Sequence, residues 1–545
     1  MPAKPFTIKI NSIMGGKSPH RFLPYQLAGN TNKFDASLGI DPDQPMTSFT
    51  DMGVLMPTSF VDFTSTLLNG APMWLMSPPR GSELLYSYST LGRLNSWNTS
   101  FGGEATVTTT GGTQGNAAQG GAYYNNYIYM AYGSSETRSV DIARWGPLDG
   151  TPALQESWWG STIAQTPLDD PDFPTVEGIT LPNHPMHVHN DGRLYIGDFD
   201  SSTSTAATRG RGLIHYIQTE FATDEGAADN GSQYNALDLP FNQMPVDIES
   251  YGPDLVTLTI PNPNGATFGS GNAMLHFWDT GSPSPYRHVN LQDPAASALL
   301  FHNGLLYIWS GSYTQGHRLS VYRGGQTVEQ LDYLPYAELP PAGAVAAKGN
   351  RIYWGSRTTY PTNGSCVYAY NHKNANIPGT HNIINSDGGG SALVTSLLRV
   401  RQDAFNNTDL AVGWSDTSNF GIDRRSAGAT NTAVFRSMNY QMGAPFRITK
   451  IIIPFGEAIT SNQTLTVRLY ESIDSDVVDP GGTTGVALQT INNTNFSSSE
   501  RRVELDADFR GLNDFQMQLK WSGTNEMPVL LPIIIHGEFT KEKTA

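Results

Sequence analysis

The chain of 545 residues holds a single cysteine, Cys366. No internal disulfide is possible, which excludes secreted modules built on disulfides. Charge is scarce as well: Asp, Glu, Lys and Arg make up 15% of the residues, against about 25% in an ordinary soluble domain. Surface helices need charged outer faces, so this shortage argues against a mostly helical protein. No window approaches the roughly 18 consecutive apolar residues of a membrane helix. The opening run MPAKPFTIKINSIMGGK lacks the continuous apolar stretch of about 7–15 residues that a signal peptide needs. The expectation is a soluble protein made in a cytoplasm, with no secretory signal and no membrane insertion.

Basic side chains are outnumbered 33 to 49, for a formal net charge of −16. The local clusters Arg209-Gly210-Arg211 and Arg424-Arg425 are small, and the second directly follows Asp423. They read as solvated turns, and nucleic acid is not expected as a partner. In place of charge the chain has 55 Gly, 35 Pro, 10 Trp, 24 Tyr and 23 Phe. It shows no Gly-X-Y period, and its aromatic residues offer ample core surface, so collagen and full disorder are excluded. Tyr, Trp, Thr and Val fit a pleated sheet, while Gly, Asn, Asp and Pro fit tight turns. The composition reads as many short strands joined by polar loops.

One phrase recurs: a turn of Asn, Gly or Asp, then a short apolar or aromatic strand that often ends in Gly, Ala or Ser. It appears in 124–131, 190–197, 302–309 and 348–355. The Asn-Gly or Asp-Gly dipeptide supplies the positive φ of a tight hairpin. Weaker copies near Tyr86, Thr257 and Ala411 join Tyr129, Tyr195, Tyr307 and Tyr353 as anchors. Their spacing is at or beyond the roughly 40–50 residues of a propeller blade, the longer steps being loop insertions. A partner strand follows several anchors, as in 212–217, 318–322 and 365–370. The pattern predicts an all-β protein with a β-propeller over 71–428, seven blades being the first reading and six or eight its alternatives, with generic sandwich or solenoid hairpins as the rival fold. Residues 1–70 hold too few apolar residues for a domain and are expected to form an extended N-terminal arm, packed on the propeller or on a neighbour. Six or more strands within 429–545 predict a C-terminal β-sandwich of jelly-roll type.

Catalytic signatures are mostly missing. Gly15-Gly16-Lys17-Ser18 ends like a phosphate loop, but the required earlier glycine is Asn11. There is no Gly-x-Ser-x-Gly elbow, no His-Glu-x-x-His and no cysteine cluster. His187 and His189 share a face if 186–189 is a strand, with His184 and Asp191 nearby. Such a set suits a divalent metal, yet a strand histidine is more often a satisfied core residue, so neither metal nor cofactor is expected. The acidic stretches 169–172, 198–200 and 474–476 lack EF-hand spacing and read as solvated turns. Asp198, Asp200 and Glu249 are the carboxylates on offer for glycosidase work, which needs a pair about 5–9.5 Å apart. Trp158, Trp159 and Tyr313 are candidates for stacking on sugar rings or for packing at an interface.

The runs 10–19, 36–43 and 446–451 resemble structural proteins of tailed bacteriophages. The resemblance implies a virion component of the tail or its fibres, assembled in the host cytoplasm. It brings no catalytic residues with it. The leading expectation is therefore a noncatalytic tail-associated protein whose partners are other virion proteins, copies of itself and host-surface glycan. The alternative is a glycan-binding or glycan-cleaving propeller.

Overall fold

The computed structural model describes residues 4–10, 22–24, 26, 35–38, 59–62, 68–79, 83–98, 105–109, 118–133, 139–159, 168–169, 175–176, 179–180, 184–200, 211–218, 233–261, 271–312, 316–335, 337–358, 364–371, 379–383, 393–400, 410–416, 419–426, 432–456, 458–459, 463–470, 486–492, 501–523 and 532–540. Among them there is no α-helix, and no helix long and apolar enough to cross a membrane. Contacts divide the chain into two compact units, one of 62–357 with 386–424, the other of 1–61, 358–385 and 425–545.

The larger unit holds seven inner strands: Pro72–Met76, Gly120–Tyr124, Met186–Val188, Gln243–Tyr251, Ala295–His302, Val345–Lys348 and Leu393–Arg399. Each starts a small antiparallel sheet, each neighbours the next, and the last neighbours the first. A closed ring of seven such sheets is a seven-bladed β-propeller. From the inside out, the third blade adds Leu194–Asp200, Arg211–Ile217 and Gln233–Phe241. The fourth adds Asp254–Pro261, Met274–Trp278 and Arg287–Asn290, and the fifth Leu305–Gly311, His317–Tyr322 and Glu329–Leu334.

The recurring phrase is the inner hairpin of a blade. All seven anchors, Tyr86, Tyr129, Tyr195, Thr257, Tyr307, Tyr353 and Ala411, lie on the second strand of successive blades. Asn303 and Gly304 take φ of 51° and 79°, the paired positive values of a type I′ hairpin turn. The aromatic anchors are buried. Two residues further on, the small residue of the phrase is where the next blade comes close. A β-carbon on Gly355 would lie 2.1 Å from Val394 Cγ1, and one on Gly197 3.1 Å from Pro245 Cβ. One on Gly413 would lie 2.9 Å from the carbonyl oxygen of Pro72, where the last blade meets the first. The Thr395 and Ser396 hydroxyls both donate to that carbonyl.

The second unit is two sheets around one apolar core. One sheet orders Lys4–Ile10, Ile533–Phe539, Phe446–Pro454 and Arg502–Gly511. The other centres on Asp514–Gly523, which pairs with Asn439–Gln441, Thr432–Arg436 and Gln463–Tyr470. Ile8, Ile451, Val503 and Ile535 of the first sheet share the core with Phe435, Leu465, Phe515 and Leu519 of the second.

The description of 1–70 as an extended arm is corrected here. Lys4–Ile10 pairs along its whole length with Ile533–Phe539, and its alternation buries Phe6, Ile8 and Ile10. Phe22–Pro24 runs parallel to Asn439–Gln441, and Ala36–Leu38 pairs with Thr432–Arg436. Too poor in apolar residues to fold alone, the N-terminal segment completes the core that the C-terminal strands begin.

Because Gly355 faces Val394 with no room for a methyl group, Gly355→Ala is expected to destabilise the protein by ~1–3 kcal/mol, the usual cost of overpacking. Chemical denaturation of the two proteins measures this, and an unchanged midpoint would contradict the close-approach account.

Candidate functional site

His187 and His189 do share a face, and they converge on one hydroxyl of the neighbouring blade. His187 Nε2 and His189 Nδ1 each lie 2.8 Å from Ser250 Oγ. His189 Nε2 lies 3.1 Å from the Pro253 carbonyl, which only accepts, so this nitrogen carries the ring proton. Burial holds the His189 pKa below the usual histidine range. In the neutral ring Nδ1 is then the acceptor: Ser250 donates to His189, and His187 Nε2 donates to Ser250. The Glu249 carboxylate is 3.4 Å from the same His187 nitrogen and accepts from the backbone N–H of Ser250 at 2.8 Å and of Phe301 at 3.3 Å. Asp191 is not part of this set; it accepts from the Tyr195 hydroxyl at 2.6 Å. Among the described residues no group of side chains is arranged to hold a metal ion. The two histidines lace the third blade to the fourth.

Asp198 is fully buried between His184 and His215. Its carboxylate lies 3.1 Å from His215 Nε2, and it accepts from the backbone N–H of Phe199 at 2.8 Å. Burial pushes the His184 pKa down. A carboxylate enclosed in this way meets no substrate. Asp247, two residues before Glu249, accepts from the Leu299 N–H on the fifth blade at 2.6 Å, and burial raises its pKa well above the carboxylate range. Asp247 and Glu249 thus cap N–H groups on the open edge of the next inner strand. The side chain of Asp200 lies outside the described residues.

Trp158 is corrected as a sugar-stacking residue: it is 4% exposed, with the Arg144 guanidinium over its ring at 4.5 Å and Tyr129 meeting it edge-on at 5.2 Å. It is core, because its ring closes the apolar cluster shared with Tyr127, Ile142 and Leu194. Trp159 stands opposite Ile142 in the ladder; its side chain and Tyr313 lie outside the described residues.

An open groove of about 820 Å³ lies elsewhere on the propeller, lined by Tyr286, Arg287, His288, Asn290, Gly325, Gln326 and Thr327. Its first wall is the outermost strand of the fourth blade, Arg287–Asn290, with the residue before it. Its second is the turn between His317–Tyr322 and Glu329–Leu334 of the fifth blade, where Gly324 and Gly325 take φ of 105° and 94°. The wall residues are held from behind. The Tyr286 hydroxyl donates to Asp254 at 2.5 Å; partial burial and, after it, this bond push its pKa up to about 12, and half of the residue remains exposed. The Arg287 guanidinium donates to the Tyr322 hydroxyl at 2.6 Å, and that hydroxyl donates to the Gly325 carbonyl at 3.1 Å. Below them Tyr251, Phe277 and Tyr322 pack ring on ring.

His288 ends a buried relay. Thr259 donates to Gln243 Oε1 at 2.6 Å and lies 2.9 Å from His276 Nε2, whose Nδ1 is 2.8 Å from His288 Nδ1. Burial, aided by His288, pushes the His276 pKa down to about 3, so the ring stays neutral. With the Thr259 proton spent on Gln243, His276 donates from Nε2 and accepts at Nδ1. His288 therefore donates inward from Nδ1 and keeps Nε2 for the groove. None of these wall residues stood out in the sequence, although Tyr286-Arg287-His288 directly follows a Ser- and Pro-rich turn.

No family model and no curated protein matches the chain. Among solved structures it is similar to an exo-β-1,3-galactanase of Phanerochaete chrysosporium with bound β-1,3-galactotriose, at 11% identity and a TM-score of 0.31 over 79% of this chain and 96% of that one. It is also similar to a protein of Bacteroides uniformis assigned as a 6-phosphogluconolactonase, at 16% identity and a TM-score of 0.38 over 57% of this chain and 84% of that one. Likenesses at this level carry no argument about activity. The expectation that the chain is not an enzyme is nonetheless corrected: with a galactanase among the folds it resembles, missing sequence signatures do not exclude catalysis.

The neutral His276 has a consequence for stability. Below the unfolded-state value of 6.5 the unfolded chain binds a proton that the folded ring refuses, so stability falls as pH drops from 6.5 toward about 3. Thermal unfolding at several pH values is expected to show this loss, and His276→Gln to reduce its slope by up to ~1.4 kcal/mol per pH unit. An unchanged slope in the variant would remove His276 as its source.

Proposed function

We propose that the protein recognises glycan in the groove between the fourth and fifth blades. The observation that carries this reading is the wall itself: an exposed tyrosine ring fixed by Asp254 stands beside a guanidinium, an imidazole, two amides and a hydroxyl. A sugar presents an apolar ring face and a rim of hydroxyls, and this wall offers an aromatic face and a rim of hydrogen-bonding groups. The fixed rotamers limit the side-chain entropy lost on binding. Among the described residues the groove lining offers groups that hold a sugar. Host-surface glycan is the ligand class that joins this groove to the tail-protein resemblance of the chain ends. The virion setting is part of the proposal, and the protein's presence at fixed copy number in purified particles would check it.

The test is binding to a panel of immobilised oligosaccharides, with solution samples read for new reducing ends to report cleavage. Tyr286→Ala is expected to weaken binding about tenfold, from the loss of ring contact and of the ordered edge. If no panel member binds, or the variant binds like the parent, the groove is not the site.

A further inference from the structure

We infer that the groove selects an anionic, carboxylate-bearing sugar, and that Arg287 is the residue that selects it. This deepens the glycan reading and rests on it. The chain carries a net charge of −16, and other arginines of these blades are matched with acids. Arg193 lies 3.6 Å from Asp191, Arg318 3.3 Å from Asp293 and Arg323 2.8 Å from Glu329. Arg287 has no such partner among the described residues. Its polar contact is the neutral Tyr322 hydroxyl, and its guanidinium lies 5.7 Å from the ring centroids of both Phe277 and Tyr286. The nearby acid, Asp254, acts on the guanidinium through space but makes no ion pair with it; it is outside the groove lining and accepts from the Tyr286 hydroxyl.

The geometry suits a planar anion. Tyr322 holds Nη1 of Arg287, so the remaining N–H groups of the fork are available to a ligand. A guanidinium fork matches the two oxygens of a carboxylate. The relay behind His288 takes that ring's Nδ1–H, which leaves its outer nitrogen as an acceptor for a sugar hydroxyl beside the carboxylate. Asn290, Gln326 and Thr327 complete the lining with groups suited to sugar hydroxyls.

The experiment uses the full chain and a panel of hexuronate oligosaccharides, each paired with its neutral methyl ester, and sulfated oligosaccharides paired with their desulfated forms. Binding is measured at low and high salt for the parent, Tyr286→Ala, Arg287→Gln and Arg287→Lys, after thermal unfolding confirms that each variant is folded. A carboxylate is expected to bind about tenfold tighter than its ester at low salt. Arg287→Gln is expected to erase that preference while keeping ester binding, and Arg287→Lys, a charge without the fork, to restore it only in part. Tyr286→Ala is expected to weaken both. Equal binding of acid and ester, both weakened in Tyr286→Ala, would overturn the charge selection and leave the glycan reading standing. A preference that survives Arg287→Gln, or one for sulfate over carboxylate, would also overturn it. Failure of every oligosaccharide to bind would remove the glycan reading and this inference together.

Discussion

Each propeller blade must let the inner strand of the next come almost into backbone contact, and the larger unit depends on that approach. A four-stranded sheet is too small to bury its own apolar faces, so a blade is stable only against its neighbours. The glycines at 197, 355 and 413 make the approach possible, since a β-carbon there would strike Pro245, Val394 or Pro72. At the last of these points the ring closes, and Thr395 and Ser396 fasten it by hydrogen bonds to Pro72.

The same constraint explains where the polar side chains go. Inner strands present an unpaired edge, and buried N–H groups left without acceptors are costly. Asp247 and Glu249 answer this by capping Leu299 and Phe301, while His187 and His189 tie the seam through the Ser250 hydroxyl. Carboxylates and imidazoles that resemble catalytic groups in a one-dimensional reading are thereby engaged in holding blades together. The outermost strands are under no such demand. Arg287–Asn290 is free to carry ligand-facing side chains on a rigid support.

Legibility differed between fold and site for a physical reason. Hairpin turns and strand alternation are local, so the phrase around Tyr129, Tyr195, Tyr307 and Tyr353 was readable, and each anchor falls on the second strand of a blade. Pairing of Lys4–Ile10 with Ile533–Phe539 joins opposite ends of the chain, and no local pattern announces a partner so remote. Trp158 shows the same limit. Its neighbour in sequence says nothing of Arg144, which covers its ring. The groove needed two blades side by side before Tyr286, Arg287 and Gln326 became one surface.

The sequence by itself determined an all-β chain, the seven hairpin anchors and the shortage of basic charge, because composition and short-range periodicity act within a few residues. Only the tertiary structure decided that the N-terminal segment belongs to the two-sheet unit, that Asp198 is enclosed rather than accessible, and that Arg287 stands in a groove whose lining, among the described residues, carries no acid. Those are properties of neighbours brought together by packing, where burial and the exclusion of water set what a charged or aromatic group can do.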